Sequence, residues 1–273
     1  MFSNNTPGIT VSPGASASQA NLGINSGGSL NASGGTVPGT FYNFTGNTTS
    51  GSGLASVGST VSNAAGNSTL TQAANSAISA STSLAGLTAN QTFGTLSGTT
   101  TITATVPGQN VIALTGINMA NGTTLFLSGS ATQSFVINVT GGGNLSIENV
   151  TLIGGLTPAN VIFNVLNSGV VLDNNPDTIN GIIMDINGMV DLTNNDTVNE
   201  EIISGNTIDL GNNSEVEVVQ TVPEASTAAC FTVGPLSLVA VMLCYKRFAC
   251  RKQMVVRGFH DPVEGVLGAA KSC

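Results

Sequence analysis

Across 273 residues the chain carries a net charge of −8, and its charges are segregated: residues 1–147 hold no Asp, Glu, Lys or Arg, residues 148–227 hold twelve acids and no base, and all six Lys and Arg follow position 245. A body without cations cannot grip phosphate, which excludes nucleic-acid binding for everything before Lys246. The single His (His260) and all four Cys (230, 244, 250 and 273) also lie close to the end, so the body has no disulfide, no thiolate metal site and no imidazole for a catalytic triad.

Residues 1–62 are Gly, Ser and Asn with scattered Pro7, Pro13 and Pro38, and no hydrophobic period survives there. That composition reads as a disordered, low-complexity lead-in, with strand character only around Gly39 to Phe44. The start, Met1-Phe2-Ser3-Asn4-Asn5, has neither a basic nor an apolar leader segment, so for an exported protein the expected true start lies upstream. From Asn67 the texture changes. Leu70, Ala73, Ala74, Ala77, Ile78, Ser81 and Leu84 fall at helical spacing, which predicts a helix near 67–86 capped by Asn67 or Ser68 and stopped by Gly86.

Beyond Thr92 the hydrophobic period is two. Thr101–Val106, Val111–Leu114, Thr124–Leu127, Phe135–Val139, Leu145–Ile147 and Val150–Ile153 read as short strands. Val161–Val165, Val170–Leu172, Ile182–Ile186, Val190–Leu192, Glu201–Ile203 and Thr207–Leu210 continue the series, each bounded by Gly, Asn or Asp. Dense short strands without helices between them leave a sandwich, a barrel or a solenoid. Starts every 8 to 12 residues and self-similar phrases favour the solenoid, as in Phe135-Val-Ile-Asn-Val against Val161-Ile-Phe-Asn-Val.

The end of the chain states a topology. Val222-Pro223-Glu224-Ala225-Ser226-Thr227 precedes the uncharged run Ala228 to Tyr245, and Lys246, Arg247, Arg251 and Lys252 follow at once. Eighteen helical residues cover roughly 27 Å, enough for a thin hydrocarbon core. The cations are expected to stay on the cytoplasmic side, leaving residues 1–227 outside.

Catalytic chemistry has little to draw on. Asp185, Asp191, Asp196, Glu200, Glu201 and Asp209 are the carboxylates from which a glycosidase pair would have to come. Without Trp and with few other aromatic residues to form a sugar platform, they read as solvated strand edges and turns. Asp173, Asp177, Asp191 and Asp196 gather hard oxygen ligands at close spacing, yet neither cluster has the Gly and closing Glu of an EF-hand loop. Turn chemistry explains them equally, so no metal and no cofactor are assigned. A flat crystal-binding face would need a Thr ladder, and Thr99, Thr101, Thr103 and Thr105 supply one strand of it without recurrence at a coil period.

Two resemblances add to this reading. The motif at 222–227, the span at 228–245 and the cluster at 246–252 together resemble the PEP-CTERM sorting signal of bacterial exported proteins. Ala225 stands where that family has Pro, and residues 253–273 run past its usual end as a cytoplasmic tail. The resemblance implies an exosortase-type membrane protease as partner, transient anchoring, and release to the surface. The body, with Asn110-Val-Ile-Ala-Leu, Thr124-Leu-Phe-Leu-Ser-Gly and Gly181-Ile-Ile-Met-Asp-Ile-Asn-Gly, is similar to the choice-of-anchor A domain and shares its texture with bacterial ice-binding β-helix domains. It implies a mainly β, right-handed β-helix over 63–220 with one flanking α-helix; composition adds the disordered lead-in before it, and the apolar run a single C-terminal transmembrane helix after it. The function expected on these grounds is that of a non-enzymatic surface or matrix protein, adhesin-like. An ice- or polysaccharide-binding module is the alternative, and a carboxylate glycoside hydrolase the second alternative.

Overall fold

The computed structural model describes residues 2–3, 8–18, 21–142, 145–167, 169–172 and 176–217. The alternation of Val, Ile and Leu with small polar residues produces parallel strands throughout, wound as successive coils with three faces. Face A is a ten-stranded sheet and face B a seven-stranded one. Face C consists of two three-stranded sheets, joined where the Asn180 side chain donates to the Val150 carbonyl and the Thr178 N–H to the Asn149 side chain. A coil visits B, C and A in turn, as in Val190–Asn194, Thr197–Asn199 and Ile202–Ser204.

Register fixes the core. On face A, Ile112, Ile137, Phe163, Ile183 and Ile202 stand opposite one another and all are fully buried. Each coil thus contributes an apolar layer that is dry only because the next coil covers it. At about 1.5–3 kcal/mol for each large aliphatic side chain removed from water, these ladders dominate the stability.

The expected disordered lead-in is overturned. Strands Gly8–Val11, Leu22–Ile24, Ser29–Ser33, Thr36–Asn43, Thr48–Gly53 and Ser56–Val61 occupy that segment. Ile9, Val11, Leu22, Ile24, Leu30, Ala32 and Val37 join the same core as the later strands. The first strands do not stack on their sequence neighbours. Phe2–Ser3 pairs with Ile202–Ser204, and Gly8–Val11 with Thr207–Asn212, about 200 residues away. Gly, Ser and Asn are abundant there because a short coil needs many turns and a small outward surface, while a handful of inward positions suffice for the core. Gly14 and Gly34, at φ of 76° and 116°, turn the chain where Asn195 and Asn213 (φ 57° and 58°) do so in the later coils.

Helix α1 (Ala64–Ala85) returns the chain to the far end of the solenoid. It starts one turn earlier than the expected cap at Asn67 or Ser68, because the Asn63 side chain accepts from the Gly66 N–H at 2.9 Å. Gly66 is buried close to Val61, whose Cγ1 would lie 2.8 Å from any added Cβ, so a larger residue would push the first turn away. Gly86 ends the helix as expected. Leu70, Ala74, Ala77, Ala80 and Leu84 are buried, as are Val111, Val136, Ile162, Ile182, Met184 and Ile203 on the outward side of face A. The expected helical stripe is shifted slightly: Ala73 and Ile78 face solvent and Ala80 replaces them.

Among the described residues no helix is long and apolar enough to cross a membrane. The expected span at 228–245, the sorting motif Val222, Pro223, Glu224, Ala225, Ser226 and Thr227, and the cations Lys246, Arg247, Arg251 and Lys252 lie outside those residues.

Candidate functional site

With the outward side of face A largely covered by α1, face B is the longest continuous sheet left open. Its strands alternate aliphatic residues inward with small residues outward. Inward, Val190, Ile208, Ile9 and Leu30 form one buried ladder. Outward, Thr207, Gly8, Ser29 and Thr48 form one row, and Asp191, Asp209, Thr10, Asn31 and Ser50 form the next. Nothing in these rows is larger than Asn or Asp, so the surface is flat and covered with hydroxyl, amide and carboxyl groups. Neighbouring strands lie about 4.8 Å apart and alternate residues about 6.6 Å apart along a strand, which makes a two-dimensional grid.

Most of this array lies before Thr92, and Thr99, Thr101, Thr103 and Thr105 do not belong to it. On face C, Thr101 is opposite Phe126, and Thr151 follows, so the ladder does not continue there. Thr105 leaves the strand, its N–H bonded to the Asn110 side chain at 2.7 Å. The signal for face B was present in Gly8-Ile-Thr-Val-Ser12 and Ser29-Leu-Asn-Ala-Ser33, which alternate small and apolar residues at a spacing near 20; the last strand, with Thr48-Thr-Ser50, is polar on both sides. It was hidden by the Gly and Ser content of the segment.

The carboxylates are scattered over different surfaces. Asp191 and Asp209 are opposite each other on face B; desolvation pushes both upward from the ordinary carboxylate range, and the neighbouring Asp191 adds to the effect on Asp209. Asp185 is opposite the core residue Val165 and fully buried, so it does not share a surface with Asp191. Burial raises it to about 7 even though the Asn187 and Gly188 N–H groups stabilise its charged form. Asp196 is buried at the turn between faces B and C, and burial raises it to about 6. There its Oδ1 accepts from the Asp177 N–H at 3.2 Å, and its own N–H donates to the Ser214 hydroxyl. Asp177 in turn accepts from the Asn149 side chain at 3.3 Å, and Glu148 is buried one coil further on. Glu200 and Glu201 lie at the turn from face C into face A, with Glu200 at φ 147°.

Of the four candidate calcium ligands, Asp173 lies outside the described residues, Asp191 is half-buried on the outward side of face B, and Asp177 and Asp196 belong to the buried turn stack. Among the described residues no three carboxylates converge as a metal site.

No protein-family model matches the chain, and no curated protein sequence matches it. Among solved structures, it is similar to an ice-binding protein from an Arctic yeast, at 16% identity over 80% of this chain and 92% of that one, with a TM-score of 0.51. The two chains share a fold. Further similar structures are an ice-binding protein from the Antarctic ascomycete Antarctomyces psychrotrophicus (18% identity, 77% and 93% coverage, TM-score 0.48) and an ice-binding protein domain from Shewanella frigidimarina (14%, 77% and 92%, 0.48).

Proposed function

We propose that this protein is an exported, non-enzymatic ice-binding β-helix that meets the crystal through face B. The observation that carries the reading is the pair of outward rows running through Thr207, Gly8, Ser29 and Thr48 and through Asp209, Thr10, Asn31 and Ser50. A rigid, flat grid of short hydroxyl and amide groups, repeating about every 4.8 Å across the strands and about every 6.6 Å along them, is suited to hold an ordered water layer at little entropic cost. The same face has no aromatic platform on which a sugar ring would stack, so ice suits it better than polysaccharide. The fold shared with a yeast ice-binding protein agrees with this reading.

The tail supports delivery. Val222 to Thr227, the apolar run and the cations resemble a signal for an exosortase-type protease, which would release the solenoid at the cell surface or outside the cell. At the surface the module would act as the non-enzymatic matrix or adhesin component expected from the sequence, with ice as what it adheres to. Thermal hysteresis of the purified protein tests the function. A freezing point held below the melting point, with faceted crystals, supports it; round crystals and coincident temperatures reject it.

A further inference from the structure

The discontinuous winding has an effect on charge. In space the order along the solenoid is residues 91–147, then 148–217, then 8–61, because the N-terminal coils stack on the last one. Every Asp and Glu of the described residues lies in the middle block, and both ends are uncharged. Proteins usually guard open strand edges with charge, Lys above all. Here the edges Ser56–Val61 and Thr48–Gly53 at one end, and Gln91–Leu96 and Thr100–Thr103 at the other, have no charged residue and no strand partner beyond them among the described residues. At the first end the lumen-facing residues of the last coil are also open: Thr49 and Thr60 are exposed, and Val57 is 39% exposed.

We infer that copies of this chain stack head to tail, the Ser56–Val61 end of one solenoid pairing with the Gln91–Leu96 end of the next. Strand direction permits it. Both edges belong to the same all-parallel face A, so a copy translated along the axis continues the ladder in the parallel sense. Charge selects this contact over others: the acidic middle bands repel side by side, with no base in either, whereas the neutral ends meet without repulsion. Each added copy gains strand pairing on face A and covers Val57. The contact joins two different surfaces, so it leaves free ends and grows into a filament.

The test uses the full chain in a non-ionic detergent, with mass read by light scattering across a concentration series. Thr60→Lys charges one end, and Gly94→Lys, where an added Cβ meets nothing within 4 Å, charges the other. The wild type is expected to rise several-fold in mass with concentration, and each variant to remain at the mass of one chain. An equal mixture of the two variants should then give a twofold mass and nothing larger, since each retains one free end; that product also proves both variants folded. A wild type that stays single, variants that assemble as the wild type does, or a mixture that stays single would each overturn the inference.

Discussion

The side chains of Asn138 and Asn164 lie side by side on neighbouring strands of face A, with the Asn164 amide donating to the Asn138 oxygen at 2.8 Å. Both then reach the helix. Asn138 donates to the Leu84 carbonyl at 2.8 Å, and Asn164 accepts from the Ser81 hydroxyl at 2.7 Å while donating to the Ser81 carbonyl. This polar clasp lies within an otherwise apolar interface, where each orphaned group costs about 1–3 kcal/mol. Asn164→Ala leaves the Ser81 hydroxyl and the Asn138 oxygen without that partner, so it is expected to destabilise by about 2–4 kcal/mol. Chemical denaturation measures this, and a loss below about 1 kcal/mol would show that the clasp is dispensable.

Asp185 and Asp196, raised by burial to about 7 and about 6 from 3.8, give a pH dependence of definite sign. The folded state binds protons that the unfolded chain has released, so their stabilising contribution is complete below about pH 4 and is lost as pH rises through 6 to 7. Melting temperature is therefore expected to be higher at pH 5 than at pH 8. Asp185→Asn keeps an acceptor for the Asn187 N–H and should raise the pH 8 value while flattening the slope. A melting temperature that falls on acidification from pH 8 to pH 5 would contradict this.

Glu200 adopts φ 147°, in a position that Gly181 occupies at 155° one coil away. Such a conformation favours glycine, and a side chain there is strained. Glu200→Gly is expected to stabilise by about 1 kcal/mol, seen as a rise of about 2–4 °C in thermal unfolding. A lower melting temperature would mean that the Glu200 side-chain contacts outweigh the strain.

These three relationships differ in how far the sequence announced them. The repeated phrase Phe135-Val-Ile-Asn-Val and Val161-Ile-Phe-Asn-Val aligned Asn138 with Asn164 in advance, and the structure places them in register. Strands with two or more inward Val, Ile or Phe were legible for the same reason. Thr178–Asn180, Thr197–Asn199 and Glu215–Glu217 were not, because each buries a single aliphatic residue. The N-terminal coils were illegible because their pairing partners lie about 200 residues away, and no local pattern announces such a contact. The outward rows of face B fell in those same coils and were missed with them.

Delivery has its own check. Cleavage near Thr227 would leave a mature protein without Cys, His, Lys or Arg. Intact-mass analysis of the surface fraction is expected to show a species ending near that residue. A product that retains residues 246–273 would mean a permanent single-pass anchor.

If face B, and no other face, meets ice, only substitutions on face B will abolish the activity. Thr10→Tyr and Asn31→Tyr raise a bulky ring from the middle of the grid, whereas Thr151→Tyr puts the same ring on face C. Thermal hysteresis measured on the three variants and the parent at equal concentration decides it. The two face B variants are expected to lose most of the activity, at least fivefold, while Thr151→Tyr retains it. Equal activity in all four, or loss confined to Thr151→Tyr, would contradict it.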